Sequence, residues 1–127
     1  MQVRSSDSQL TVMREAATQG HAEIALMILN GSVRVYTRSP KSRYGWQIKD
    51  WDKPFPEGTA GVVFLDTYSG TPKFFVTAIT EARKLVADQQ GDAESPRPVT
   101  PSSRHCYITP DQVADYQNAW EFYRPAA

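Results

Sequence analysis

Apolar positions first fall into a helical rhythm. Leu10, Met13 and Ala17 recur at i, i+3 and i+7, the spacing of one helix face. Asp7 or Ser8 stands before them as an N-cap, and Gly20 follows as a stop. The pattern predicts a helix with a single apolar stripe, laid on a sheet. Glu23-Ile-Ala-Leu-Met-Ile-Leu29 is then almost continuously apolar, which predicts a short strand buried on both faces. Asn30-Gly31 carries the two-residue hairpin signature. Beyond it the residues alternate: Val33, Val35 and Thr37 point one way, and Arg34, Tyr36 and Arg38 the other. A β-hairpin over 23–38 is the expectation.

Ser39-Pro-Lys-Ser-Arg-Tyr-Gly45 reads as a turn, Trp46-Gln-Ile-Lys49 as a short strand, and 50–58, with Pro54, Pro56 and Gly58, as a loop. Gly61-Val-Val-Phe-Leu-Asp66 reads as a second buried strand. Ser69-Gly-Thr-Pro72 turns the chain into Lys73-Phe-Phe-Val-Thr77, expected antiparallel to it. Thr77 or Thr80 opens a helix whose inner stripe is Ile79, Ala82 and Val86, with Leu85 beside them; Gln89-Gln-Gly-Asp92 closes it. Residues 92–104 are rich in Pro, Ser and Thr and predict an exposed linker. Thr109-Pro-Asp-Gln112 is a helix start, with Thr at the N-cap, Pro at N1 and Gln at N3. It opens a helix over 110–123 striped by Val113, Tyr116, Trp120 and Tyr123. That helix docks on its own sheet or on another subunit, which makes Tyr116, Trp120 and Tyr123 candidate interface residues. With residues 1–6 frayed, the order predicts a single α/β domain over 1–127. Its mixed, mostly antiparallel central sheet has four to five strands flanked by helices.

Composition narrows the function classes. The chain has 127 residues, enough for one core. Fourteen Lys and Arg offset fourteen Asp and Glu, so bulk charge cannot drive nucleic-acid binding. Cys106 is the sole cysteine, so no disulfide forms within the chain. The longest apolar stretch, Ile24 to Leu29, falls far short of the ~20 residues of a membrane span. The first thirty residues hold Arg4, Asp7, Arg14 and Glu15 with no apolar leader. A cytoplasmic location and no membrane are the expectation.

The zero charge is unevenly spread. Arg34, Arg38, Lys41, Arg43, Lys49 and Lys53 face only Asp50 and Asp52, a local excess of +4. Tyr36, Tyr44, Trp46 and Trp51 are interleaved. Cations among aromatic rings bind phosphates and stack bases, so Arg34, Arg38, Lys41, Arg43, Trp46 and Lys49 are candidate nucleic-acid or partner contacts. The plainer alternative is a solvated hairpin face with its tryptophans in the core.

Several phrases, in order, resemble small bacterial proteins of the PD-(D/E)xK restriction-endonuclease-like superfamily. They are Glu23-Ile-Ala-Leu, Val33-Arg-Val-Tyr-Thr37, Gly45-Trp-Gln-Ile48, Val62-Val-Phe-Leu-Asp66, Lys73-Phe-Phe-Val76, Ile108-Thr-Pro-Asp111 and Asn118-Ala-Trp-Glu121. The resemblance spans roughly residues 8–123. It implies a restriction-endonuclease-like fold and a Mg²⁺ site of hard oxygen ligands with a Lys that activates water. The metal-binding Asp position falls on Glu23, the Glu/Gln position on Arg34 and the Lys position on Tyr36. Arg34 would repel the metal, and a phenol with an ordinary pKa near 10 is a poor base. The resemblance therefore implies a dismantled site, with no cofactor and Glu23 as the one weak candidate ligand. A non-catalytic nuclease-fold module, binding nucleic acid or a protein partner through the 34–53 face, is the leading expectation. The alternatives are a Mg²⁺-dependent DNA endonuclease with an altered site, and a homodimer that is structural or binds a small ligand between sheet and C-terminal helix.

Other chemistry is weakly signalled. Asp50, Asp52 and Glu57 could join Glu23 around a metal, although acidic loops are usually solvated. His105 and Cys106 are neighbours, and neighbours on a strand point to opposite faces, against a nucleophilic pair. Ser102 and Ser103 lack a nucleophile elbow, and there is no Gly-rich phosphate loop.

Overall fold

The computed structural model describes residues 5–38, 45–48, 55–91 and 106–122. Two helices, α1 (Ser5–Thr18) and α2 (Ala22–Leu29), lead into β1 (Val33–Arg38). Strands β2 (Trp46–Ile48), β3 (Gly61–Asp66) and β4 (Lys73–Ala78) follow, then α3 (Ile79–Gly91), β5 (Cys106–Ile108) and the short α4 (Pro110–Val113). The chain is mixed α/β, as its pattern predicts. Its strands form two ladders rather than one central sheet: β1-β3-β4, and β2 with β5.

β3 sits at the centre, and all six of its residues are buried. Its side chains alternate between two cores. Val63 and Leu65 join Val33, Phe74 and Val76 beneath Val12 and Ala16 of α1 and Ile24 and Ile28 of α2. Val62 and Phe64 join Phe75 against Ala82, Leu85 and Val86 of α3 and Trp46, Ile48 and Ile108. The short β2–β5 ladder thus covers a face of the main sheet instead of widening it. The Trp46 indole fixes that cover, its Nε1 donating to the Leu65 carbonyl at 3.0 Å. Its ring meets Phe64 and Phe75 edge-on at 5.4 and 5.8 Å, a favoured aromatic geometry.

The apolar run 23–29 is a helix, not the expected strand. Ile24 and Ile28, four apart, are buried, while Leu26 and Leu29 are 64 % and 72 % exposed. Ala, Glu, Leu and Met are good helix formers, and the run is too uniformly apolar for periodicity to distinguish a strand from a helix. Asn30-Gly31 therefore ends a helix instead of turning a hairpin. Gly31 N donates to Ile28 O at 3.2 Å, Gly31 has φ +88°, and Ser32 N donates to Asn30 Oδ1 at 2.8 Å. Hairpin turns and helix C-caps both favour a residue at positive φ, so the dipeptide signals either. β1 takes β3 as its partner, in parallel, from Val33↔Gly61 to Arg38↔Asp66. The β3–β4 pairing is antiparallel, as the turn at 69–72 predicts.

Thr77 does not cap α3. It is buried in the sheet, its hydroxyl donating to Val62 O at 2.9 Å, and α3 follows β4 directly. The helix start at Thr109 is present as a capping box, with Thr109 N donating to Gln112 Oε1 at 2.9 Å. The expected helix over 110–123 is broken, however. After α4 come a 3-10 turn at Ala114–Tyr116 and another at Trp120–Phe122. Between them Gln117 bridges Phe75, Asn118 has φ +57°, and Asn118 N donates to Phe74 O at 2.8 Å. The backbone leaves the helix to engage the edge of β4. Residues 1–4, 92–105 and 123–127, with most of the expected frayed start, the linker and Tyr123, lie outside the described residues. Ser5 and Ser6, expected frayed, belong to α1. Among the described residues no helix is long and apolar enough to cross a membrane.

Urea unfolding separates the helix from the expected strand. Ile28→Ala should cost about 2–5 kcal/mol, whereas Leu26→Gln should stay within ~0.5 kcal/mol. A strand buried on both faces would make both losses large.

Candidate functional site at the carboxyl ends of β1 and β3

Parallel pairing brings the carboxyl ends of β1 and β3 together and sets Arg38 against Asp66. Arg38 Nη1 donates to Asp66 Oδ2 at 3.1 Å, with each side chain only 9 % exposed. The guanidinium carbon lies 4.2 Å from the centroid of the Tyr68 ring, within cation–π range. The other carboxylate oxygen, Oδ1, accepts from Tyr68 N at 2.8 Å. Thr67 closes the strand ends, its N and Oγ1 both donating to Arg38 O at 2.9 Å. A charge so buried is held by its partner. Arg38, expected as a phosphate contact, instead serves the fold. Without it, five cations face two carboxylates over 34–53, an excess of +3.

Arg34 and Tyr36 do share a face of β1. Arg34 is exposed, and Tyr36 is half-buried. The Tyr36 ring meets Phe55 edge-on at 5.7 Å and stacks on Phe64 at 6.2 Å. Burial pushes the phenol's pKa above its ordinary value; the charge of Arg34 and its hydrogen bond to the hydroxyl oppose that rise without cancelling it. Tyr36 therefore stays protonated at neutral pH and is no general base there.

Glu23 belongs to a different element. The resemblance places it at the start of a strand; it lies in the first turn of α2. A carboxylate is favoured there by the helix dipole. Its Oε1 is 3.4 Å from His21 Nδ1. Among the described residues no three of His, Cys, Asp and Glu gather as a metal would require. Trp46, expected as a stacking residue, is 1 % exposed and belongs to the core. Lys41, Arg43 and Lys49 lie outside the described residues, as do Tyr44, Asp50, Trp51, Asp52 and Lys53.

Of the candidate interface residues, Trp120 and Tyr116 pack against the chain's own core, and Tyr123 lies outside the described residues. Trp120 is 2 % exposed and packs on Phe74 at 5.9 Å, so it anchors the C-terminal segment to its own sheet. Tyr116 donates from its hydroxyl to Glu81 Oε2 at 2.9 Å. Neither Asp66 nor Glu81 was singled out as a site residue. Their partners lie 28 and 35 positions away, and no local pattern links residues so far apart.

No protein-family model matches the chain, and neither a curated protein nor a solved structure is significantly similar to it. The site must be read from its own geometry: an exposed arginine beside a packed, protonated phenol, next to a neutralised ion pair.

Two measurements check this. Arg38→Ala leaves a buried carboxylate without its cation and should cost about 3–5 kcal/mol in urea unfolding. The raised phenol pKa predicts the direction of alkaline instability. Between the unfolded value of ~10 and the higher folded value, the unfolded chain binds fewer protons, so stability falls as pH rises. Between about pH 8 and pH 11, Tyr36→Phe should therefore lose less stability than the parent chain.

Proposed function

We propose that the chain is a non-catalytic module of restriction-endonuclease-like ancestry that binds the phosphate backbone of nucleic acid through the face and segment beginning at β1. The observation that carries this reading is the pair on β1: Arg34 is exposed at the root of the basic segment, while Tyr36 is packed against Phe55 and Phe64. Where the resemblance would need a metal ligand and a lysine, the chain presents a cation and a neutral phenol. A guanidinium suits phosphate better than it suits Mg²⁺. The local excess of +3, in a chain of zero net charge, gives the attraction a place. Glu23, beside His21 in α2, stands on a different element from Arg34 and Tyr36, which argues against a metal-assisted hydrolysis built on the three together.

Fluorescence anisotropy with a labelled duplex of ~20 base pairs tests the reading at low salt. Saturable binding is expected, weakened roughly three- to tenfold by Arg34→Ala and further by Arg43→Ala. Plasmid incubated with the protein and Mg²⁺ or Mn²⁺ should stay intact. Cleavage that Glu23→Ala abolishes would establish the endonuclease alternative, and binding indifferent to Arg34 and Arg43 would remove the proposed face.

A further inference from the structure

A concavity lies away from β1, between β4, the start of α3 and the C-terminal segment. Its volume is about 510 Å³, within the range of small-molecule sites. Val76, Ala78 and Ala119 give it an apolar lining, and Tyr116 and Phe122 add two aromatic rings. Among the described residues its charged lining is acidic, Glu81 and Glu121. Among the described residues neither carboxylate has an ion-pair partner.

The walls are fixed by the packing. Gln117 and Asn118 tie the C-terminal segment to the edge of β4 through Phe75 and Phe74. Phe122 lies over Gly61, where an added Cβ would come within 2.5 Å of its ring. Glycine there is what lets the ring lie so close to the sheet. The Tyr116 hydroxyl donates to Glu81 Oε2 and so orients that carboxylate. The hydrogen bond to Glu81 pushes the phenol's pKa up, followed by burial and then by the negative charges of Glu81, Asp115 and Asp88. The phenol accordingly stays a donor at neutral pH, and among the described residues of the lining there is no cation to offset the two carboxylates.

We propose that this concavity binds a small organic cation, a primary amine carried on an apolar body. The carboxylates of Glu81 and Glu121 recognise the ammonium, the aromatic rings of Tyr116 and Phe122 suit a cation at close range, and Val76, Ala78 and Ala119 take the apolar body. Charge complementarity selects this ligand class over neutral or anionic molecules of the same shape. The site is independent of the nucleic-acid reading, since it shares no residue with β1 or the basic segment.

Three probes of one shape test it by titration of amide resonances in the full chain: 2-phenylethylamine, 2-phenylethanol and phenylacetate. The amine should give saturable shifts centred on residues 76–81 and 116–122, with an affinity of ~1 mM or better. The alcohol should bind at least about tenfold more weakly and the acid not measurably. Glu81→Gln and Glu121→Gln should each weaken the amine about threefold or more, and Glu15→Gln, on α1, should leave it unchanged. Glu121 is exposed, so its replacement tests recognition without disturbing the core. Equal binding of amine and alcohol, indifference to both carboxamide variants, or no saturation by the amine up to ~10 mM would each overturn the proposal.

Discussion

The structure depends on the complete burial of β3. A strand with six consecutive buried residues must be covered on both faces, and each neighbouring element answers that demand. α1 and α2 cover Val63 and Leu65; α3 and the β2–β5 ladder cover Val62 and Phe64. Backbone groups so enclosed must be paired within the sheet. β1 and β4 supply those pairs on either side, one parallel and one antiparallel. The parallel partner brings Arg38 to Asp66, and the antiparallel partner offers the edge on which the C-terminal segment closes.

The same constraint divides β1 into structural and available positions. Val33 and Val35 face the α1–α2 layer, Tyr36 packs on Phe64, and Arg38 is neutralised by Asp66. Arg34 remains at the surface. A basic cluster that looks uniform along the chain thus separates, among the described residues, into Arg38, which the fold uses, and Arg34, which stays exposed. Tyr36 follows the same logic: the contacts that stabilise its ring raise its pKa and remove it from acid–base work at neutral pH.

What was legible in the sequence follows from how local each signal is. β3, the turn at 69–72, the antiparallel return of β4 and the capping box at Thr109 are set by neighbouring residues, and all appear where the pattern puts them. The helix over Ala22–Leu29 is not legible locally, because a short apolar run fits a strand or a buried helix equally well and Asn-Gly terminates either. The break after α4 is likewise hidden, because the apolar stripe from Val113 to Tyr123 runs past the point at which Gln117 bridges Phe75 of β4. β5 carries no local signal of its own, because its three residues acquire meaning only by pairing with Trp46, Gln47 and Ile48. At the site, the Arg34–Tyr36 face followed from alternation along one strand. The Arg38–Asp66 and Tyr116–Glu81 contacts join distant segments, and only tertiary structure brings them together.

The central claim is that β1 contributes the exposed charge of Arg34 to phosphate binding while Val33, Val35, Tyr36 and Arg38 serve the fold. The salt dependence of duplex binding tests it most directly, because the slope of log K against log salt counts the phosphate contacts a protein makes. The account predicts that Arg34→Ala lowers the magnitude of that slope by about one contact, with the thermal midpoint unchanged. An unchanged slope, or a loss of affinity that only accompanies unfolding, would contradict it.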